Sequence, residues 1–154
     1  MEYEERINKA LGKILRYFNL LELNIGLCLR LLQNPKEPEA AHTFLKKAGL
    51  PEEIQRLKSL IVQNNICDDV SEFEKWIVQA DEVRQLRNHF AHAIWEYLPM
   101  VKDAPLQFSI PPWRTEGIDG EIRGKMTIEN IEGHADKVET VFKEFMCIRK
   151  KYGI

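Results

Sequence analysis

The sequence predicts a mainly α protein: an up-and-down helical bundle with a small β insertion before its last helix. Three observations carry this reading. Apolar residues recur at helical spacing through most of residues 3 to 92 and again toward the C-terminus. Between them lie three short β-prone runs, IWEYLPMV, LQFSI and GKMTIENI, set apart by prolines and by the loop-like TEGIDGEIRG. The length, 154 residues, fits one domain with a real core. The chain is therefore read as a single domain over 1–154, with the insertion at about 94–131.

The elements follow in order. Ile7, Leu11, Ile14, Leu15, Phe18, Leu21, Ile25, Leu29 and Leu32 form a helical stripe over residues 3 to 33. Asn34, Pro35 and Pro38 end it. A short helix, EAAHTFLKKAG, stops at Gly49, and Pro51 opens the next, PEEIQRLKSLIVQNN. Asp69 or Ser71 caps a long helix over 71–92, with Glu72 and Glu74 favourably placed in its first turn. The β-prone runs come next, and Trp95 and Tyr97 alternate there as in a half-buried strand. The last helix is GHADKVETVFKEFMCIRKKYG, whose basic end suits a helix C-terminus.

Composition excludes several classes. The net charge is −2, so any nucleic-acid binding must come from a local patch. Cys28, Cys67 and Cys147 are scattered, with no CxxC, which reads as reduced thiols in a cytoplasmic protein. No secretory core or membrane span is read in the chain. Four histidines without HExxH or HxH spacing argue against a metal site, and His42 and His134 are expected to be chemically idle. No cofactor motif is present: GxGxxG, the Walker loop and GxSxG are all missing.

The stretch RNHFAH, residues 87–92, is polar where the long helix is expected to be apolar. At about 100° per residue, Phe73, Trp76, Ala80, Val83 and Ala91 all fall within roughly 40° of Arg87. On the first helix, Leu11, Leu15, Phe18 and Leu29 fall within roughly 40° of Glu22, and Gly26 leaves space beside the carboxylate. Each helix thus carries one charge within an apolar stripe, and the charges are opposite. Unpaired buried charges are costly, so Glu22 and Arg87 are expected to meet, carboxylate to guanidinium fork. Asn88 and His92, one turn apart, flank the stripe near Asp81 and Arg84, while His89 faces away from it. A histidine at a helix end can move protons near neutral pH, and an adjacent arginine can stabilise a phosphorane.

RNHFAH, after a long helix and an early helix with an inward acid, resembles the RNxxxH signature of HEPN domains (the higher eukaryote and prokaryote nucleotide-binding fold). Six residues carry the resemblance sharply. It implies a HEPN-like bundle, a homodimer with two motifs lining one cleft, and metal-independent cleavage of RNA to 2′,3′-cyclic phosphate ends. Arg87 and His92 match the motif arginine and histidine, and Asn88 its polar second position. Arg87 is then the phosphate stabiliser, His92 the acid/base, Asn88 an orienting hydrogen-bonder, and Glu22 the holder of Arg87. Toxin–antitoxin or phage-defence roles are implied, with an antitoxin or other protein as partner. Ile94 stands where AMPylated toxins carry a tyrosine, so that regulation is not carried over. The alternative expectation is a non-catalytic HEPN module that binds a partner protein, RNA or nucleotide.

Overall fold

The computed structural model describes residues 2–102, 105–114 and 120–154. Its helices are α1 (Glu2–Gln33), α2 (Ala40–Leu45), α3 (Leu50–Gln63), α4 (Ser71–His92) and α5 (Ile128–Tyr152). The strands β1 (Ile94–Tyr97), β2 (Leu106–Ile110) and β3 (Ile122–Met126) lie between α4 and α5. The protein is mainly helical with a small antiparallel sheet, as its patterning implies.

The long apolar stripe of α1 makes it the spine. α5 packs along it most extensively, and α2, α3 and α4 cover its remaining sides. Ile14, Phe18, Leu21, Phe73, Phe145 and Ile131 are fully buried between these helices. Trp76 lies 5.4 Å from the Phe73 ring and 4.8 Å from the Phe145 ring. Its indole N–H donates to the Val141 carbonyl at 3.0 Å, which satisfies the polar end of a buried aromatic. At the rim, Arg6 pairs with Glu132 at 2.7 Å and Lys13 with Asp136 at 2.7 Å. Such exposed pairs add little individually but favour one register of α1 on α5.

The sheet is a meander in the order β1-β2-β3. Trp95 pairs with Phe108 across β1 and β2, and Phe108 with Gly124 across β2 and β3. Side chains alternate as the strand period requires. Trp95, Tyr97, Leu106, Phe108 and Ile110 turn inward, while Ile94, Glu96, Arg123 and Lys125 are exposed. The Trp95 ring sits 5.1 Å from Phe90 and 5.2 Å from Phe108, which docks the sheet on the end of α4.

Several boundaries differ from expectation. IENI, read as β-prone, opens α5 instead. Thr127 accepts a hydrogen bond from the Asn130 N–H, and the Asn130 side chain accepts from Thr127 N–H, both at 3.1 Å. This reciprocal cap starts the helix at Ile128 despite the β-branched residues. The EIRG end of the expected loop lies mostly in β3, while its residues 115–119 fall outside the described residues. α2 ends at Leu45, short of Gly49, and Gly49 is instead the N-cap of α3, with Pro51 in that helix's first turn. Among the described residues, no helix is long and apolar enough to cross a membrane.

Candidate functional site

α4 presents the RNHFAH residues in its last turn and a half. Its buried face is Phe73, Trp76, Ala80, Val83 and Phe90. Ala91, expected in this stripe, is exposed. Trp95 packs on Phe90, so the covered face of the last turn swings toward Phe90 and away from Ala91.

Arg87 is half-buried. Its guanidinium carbon lies 5.3 Å from the centre of the Phe18 ring on α1, a cation–π arrangement. One guanidinium nitrogen, Nη1, donates to Asn88 Oδ1 at 3.1 Å. The Nε–H is shielded from solvent and has no hydrogen-bond partner among the described residues. Asn88 is thus the residue that orients the guanidinium, while its own side chain remains half-buried.

The expected Glu22–Arg87 ion pair does not form. Among the described residues, no carboxylate lies within 4.0 Å of the Arg87 guanidinium. The two side chains still feel each other. Burial raises the Glu22 carboxyl above its ordinary range, and the charge of Arg87 pulls it part of the way back. The physical reason is the orientation of α1. Its buried face runs through Ile14, Phe18, Leu21, Ile25 and Cys28, toward α5. Leu15 is 41% exposed and Leu11 only half-buried, so Glu22 sits on the flank of the stripe and not at its centre.

His92 is the final residue of α4 and is exposed; His89 is exposed as well. By helical rotation His92 stands about 140° round the axis from Arg87, with Asn88 between them. The fold therefore brings Arg87 and Asn88 together and holds His92 at the open helix end. The flanking Arg84 is committed to Asp81, at 2.8 Å. His134 is half-buried, 5.8 Å from the Phe90 ring, and burial lowers its pKa.

A second cluster was not foreseen. Glu22 lies close enough to Glu53, on α3, that Glu53 feels its charge. Burial, then Glu22, then Glu52 push the Glu53 carboxyl up to about 7. Both glutamates line a cleft with Gly26, Arg30 and His42. Glu53 looked in the sequence like an ordinary acid in the first turn of a helix. Nothing in the spacing said that α3 would turn it toward α1. Among the described residues, no group of three or more His, Cys, Asp or Glu is placed to hold a metal ion.

Compared with protein-family models, with curated proteins and with solved structures, the chain matches none of them.

Proposed function

We propose that this protein is a metal-independent endoribonuclease of the HEPN type that acts as a homodimer with its two motifs facing one cleft. The observation that supports it is the state of Arg87. The guanidinium is held in place by Phe18 and Asn88, yet no carboxylate among the described residues neutralises it. A fixed guanidinium that no carboxylate contacts directly is suited to a phosphodiester.

In this reading, His92 takes the proton of a ribose 2′-OH. That oxygen attacks the adjacent phosphorus, and Arg87 stabilises the added negative charge on the phosphoryl oxygens. The bond to the 5′-oxygen breaks, and a proton returns to that oxygen as it leaves. The products are a 2′,3′-cyclic phosphate and a 5′-hydroxyl. Asn88 keeps the guanidinium fork oriented through its 3.1 Å contact. A role in toxin–antitoxin or defence systems, with an antitoxin as protein partner, belongs to the same proposal.

The exposure of His92 favours a second reading. No hydrogen bond orients its imidazole among the described residues. A non-catalytic module that binds a partner protein, RNA or nucleotide at the same surface needs no such orientation. Incubation of a mixed RNA pool with the protein in EDTA separates the two. Cleavage with cyclic phosphate ends, lost in His92→Ala, supports the nuclease. A folded dimer that leaves the RNA intact supports the module.

A further inference from the structure

The cleft between α1, α2 and α3 has a volume of about 470 Å³. Glu22, Gly26 and Arg30 follow one another at four-residue steps, so they run along one side of α1 for about 12 Å. Leu23, Leu27 and Leu45 form apolar walls, and Glu53 and His42 complete the lining. A Cβ at Gly26 would make only ordinary contact with Leu45, at 3.8 Å, so the glycine leaves the α1 side of the cleft low without being sterically required.

The polar groups of this cleft are left with bonding capacity. Neither the Glu22 nor the Glu53 carboxyl makes a hydrogen bond or ion pair among the described residues, although both residues are half-buried. Two neighbouring carboxylates that no cation contacts directly are unfavourable in a partly desolvated space. At the other end, the Arg30 guanidinium makes, among the described residues, only a long 3.7 Å contact with the exposed Glu39. Its Nε–H is shielded from solvent and has no acceptor among the described residues. An acid end, an apolar middle and a free donor end are thus arranged along one groove.

We infer that this cleft binds a small ω-amino acid, with its ammonium between Glu22 and Glu53, its methylene chain along Leu23, Leu27 and Leu45, and its carboxylate at Arg30. A diamine fits less well, because its second cation meets Arg30. A simple fatty acid leaves the glutamates unpaired. The site is separate from the RNHFAH residues, none of which lines the cleft, and it does not depend on the nuclease reading.

Protonation gives the site a pH signature. The charged and titratable groups around Glu53 are Glu22 and, further along the cleft, Arg30 on α1, Glu52 on its own helix and His42 from α2, with Arg87 acting on Glu22 from α4. With its carboxyl pushed up to about 7, Glu53 is largely neutral below that pH and ionised above it. An ammonium needs the ionised form, so binding tightens as pH rises through this range and releases a proton.

The test is calorimetric titration of the full chain with 6-aminohexanoate at constant ionic strength, beside hexanoate, 1,5-diaminopentane and N-acetyl-lysine. The expected result is saturable binding of 6-aminohexanoate or N-acetyl-lysine, with the two controls weaker by about tenfold or more, the size of one lost charged hydrogen bond. The tighter of the two ligands distinguishes a free amino acid from a chain-terminal lysine. Affinity should rise from pH 6 to pH 8 and fall about tenfold or more in Glu53→Gln, on the same basis. Glutamine copies the neutral carboxyl, so the variant keeps the fold, and its melting curve verifies this. Absence of saturable binding, or equal binding by wild type and folded Glu53→Gln, overturns the inference.

Discussion

The guanidinium of Arg87 rests 5.3 Å over the ring of Phe18, and the carboxylate of Glu22, one turn further along the same helix, does not pair with it. The arginine is anchored by an aromatic face and an asparagine instead of by an acid. The consequence for Glu22 reverses the usual reading of an inward carboxylate. Its folded pKa is raised, mainly by burial, so it binds a proton more readily in the folded chain than in the unfolded one. Its contribution is favourable at low pH and is lost as pH rises above the unfolded carboxylate value. Glu22→Gln is therefore expected to leave stability at pH 8 unchanged or to raise it slightly, since solvent screens the exposed part of the side chain. Urea midpoints at pH 4 and pH 8 measure this. A large loss of stability at pH 8 in the variant means that Glu22 does hold Arg87.

Glu53 is the stronger case of the same sign. Its carboxyl moves from an ordinary carboxylate value up to about 7, with burial as the first cause and Glu22 as the second. Wild-type stability should decline between about pH 4.5 and pH 7, where the folded state holds a proton that the unfolded state has lost. Glu53→Gln removes that decline. The variant is expected to match wild type at pH 4 and exceed it at pH 8 by about 1–2 kcal/mol, after allowing for partial solvent screening. Parallel pH profiles for the two proteins contradict this.

Much of the architecture was legible because the local signals agreed. α4 spans Ser71–His92 as read because the apolar period continues to the motif, but its N-cap is Val70 with no side-chain cap, not the expected Asp69 or Ser71; Asp69 only accepts from the Ser71 N–H, at 3.0 Å, in the turn before the helix. β2 is the LQFSI run as read, bounded by prolines. The start of α5 was obscured because Ile128 and Ile131 argue locally for a strand, while the cap formed by Thr127 and Asn130 argues for a helix. The site was legible only in part. A helical wheel says which residues share a side, and it placed Arg87 inward. It does not say how far a neighbouring helix covers that side. For that reason Leu15 and Ala91 were read as buried and are exposed, and Glu22 was read as central and lies on the flank. Glu53 comes to Glu22 only through the packing of α3 on α1, which no local pattern encodes.

Gly124 is required by Phe108. The two face each other across β2 and β3, and a Cβ at residue 124 would stand 2.4 Å from the Phe108 ring. The ring is held on its other side by Trp95, so it cannot simply turn away. Gly124→Ala should cost about 1–3 kcal/mol through overpacking, despite the better strand propensity of alanine. In the background of Phe108→Ala the same change should cost far less, because the clash is gone. A double-mutant cycle by denaturant unfolding gives the coupling, and additive single effects would mean that the ring yields freely.

Acid unfolding should have an identifiable contributor at the α1–α5 seam. Lys13, then Lys143, and then the hydroxyl of Tyr17 hold the Glu139 carboxyl down to about 2. A depressed folded pKa supplies stability that is present above the unfolded value and is lost as pH falls from about 4.5 toward 2. Glu139→Gln removes this source, so its stability profile should be flatter on the acid side and unchanged in shape above pH 6. Circular dichroism melts across pH 2.5 to 6 measure the slope. A variant with the wild-type acid slope excludes Glu139 as a contributor.

Arg87 and His92 differ in burial, and this makes their roles separable. His92 is exposed at a helix end, so His92→Ala should change stability by no more than about 0.5 kcal/mol. If His92 is the acid/base, the same variant should lower RNA cleavage by about 10²–10⁴-fold. Arg87→Lys keeps the charge but removes the planar fork that lies over Phe18 and donates to Asn88. It should lose about 1 kcal/mol of stability from the aromatic contact, and cleavage should fall by about 10²-fold as the phosphoryl oxygens lose a fixed donor. Single-turnover cleavage beside urea unfolding of both variants gives the two effects independently. Full activity in Arg87→Lys would show that only the charge matters, and the oriented guanidinium would then have no part in the chemistry. Full activity in His92→Ala would remove the proton carrier, and with it the assignment of cleavage to the RNHFAH residues.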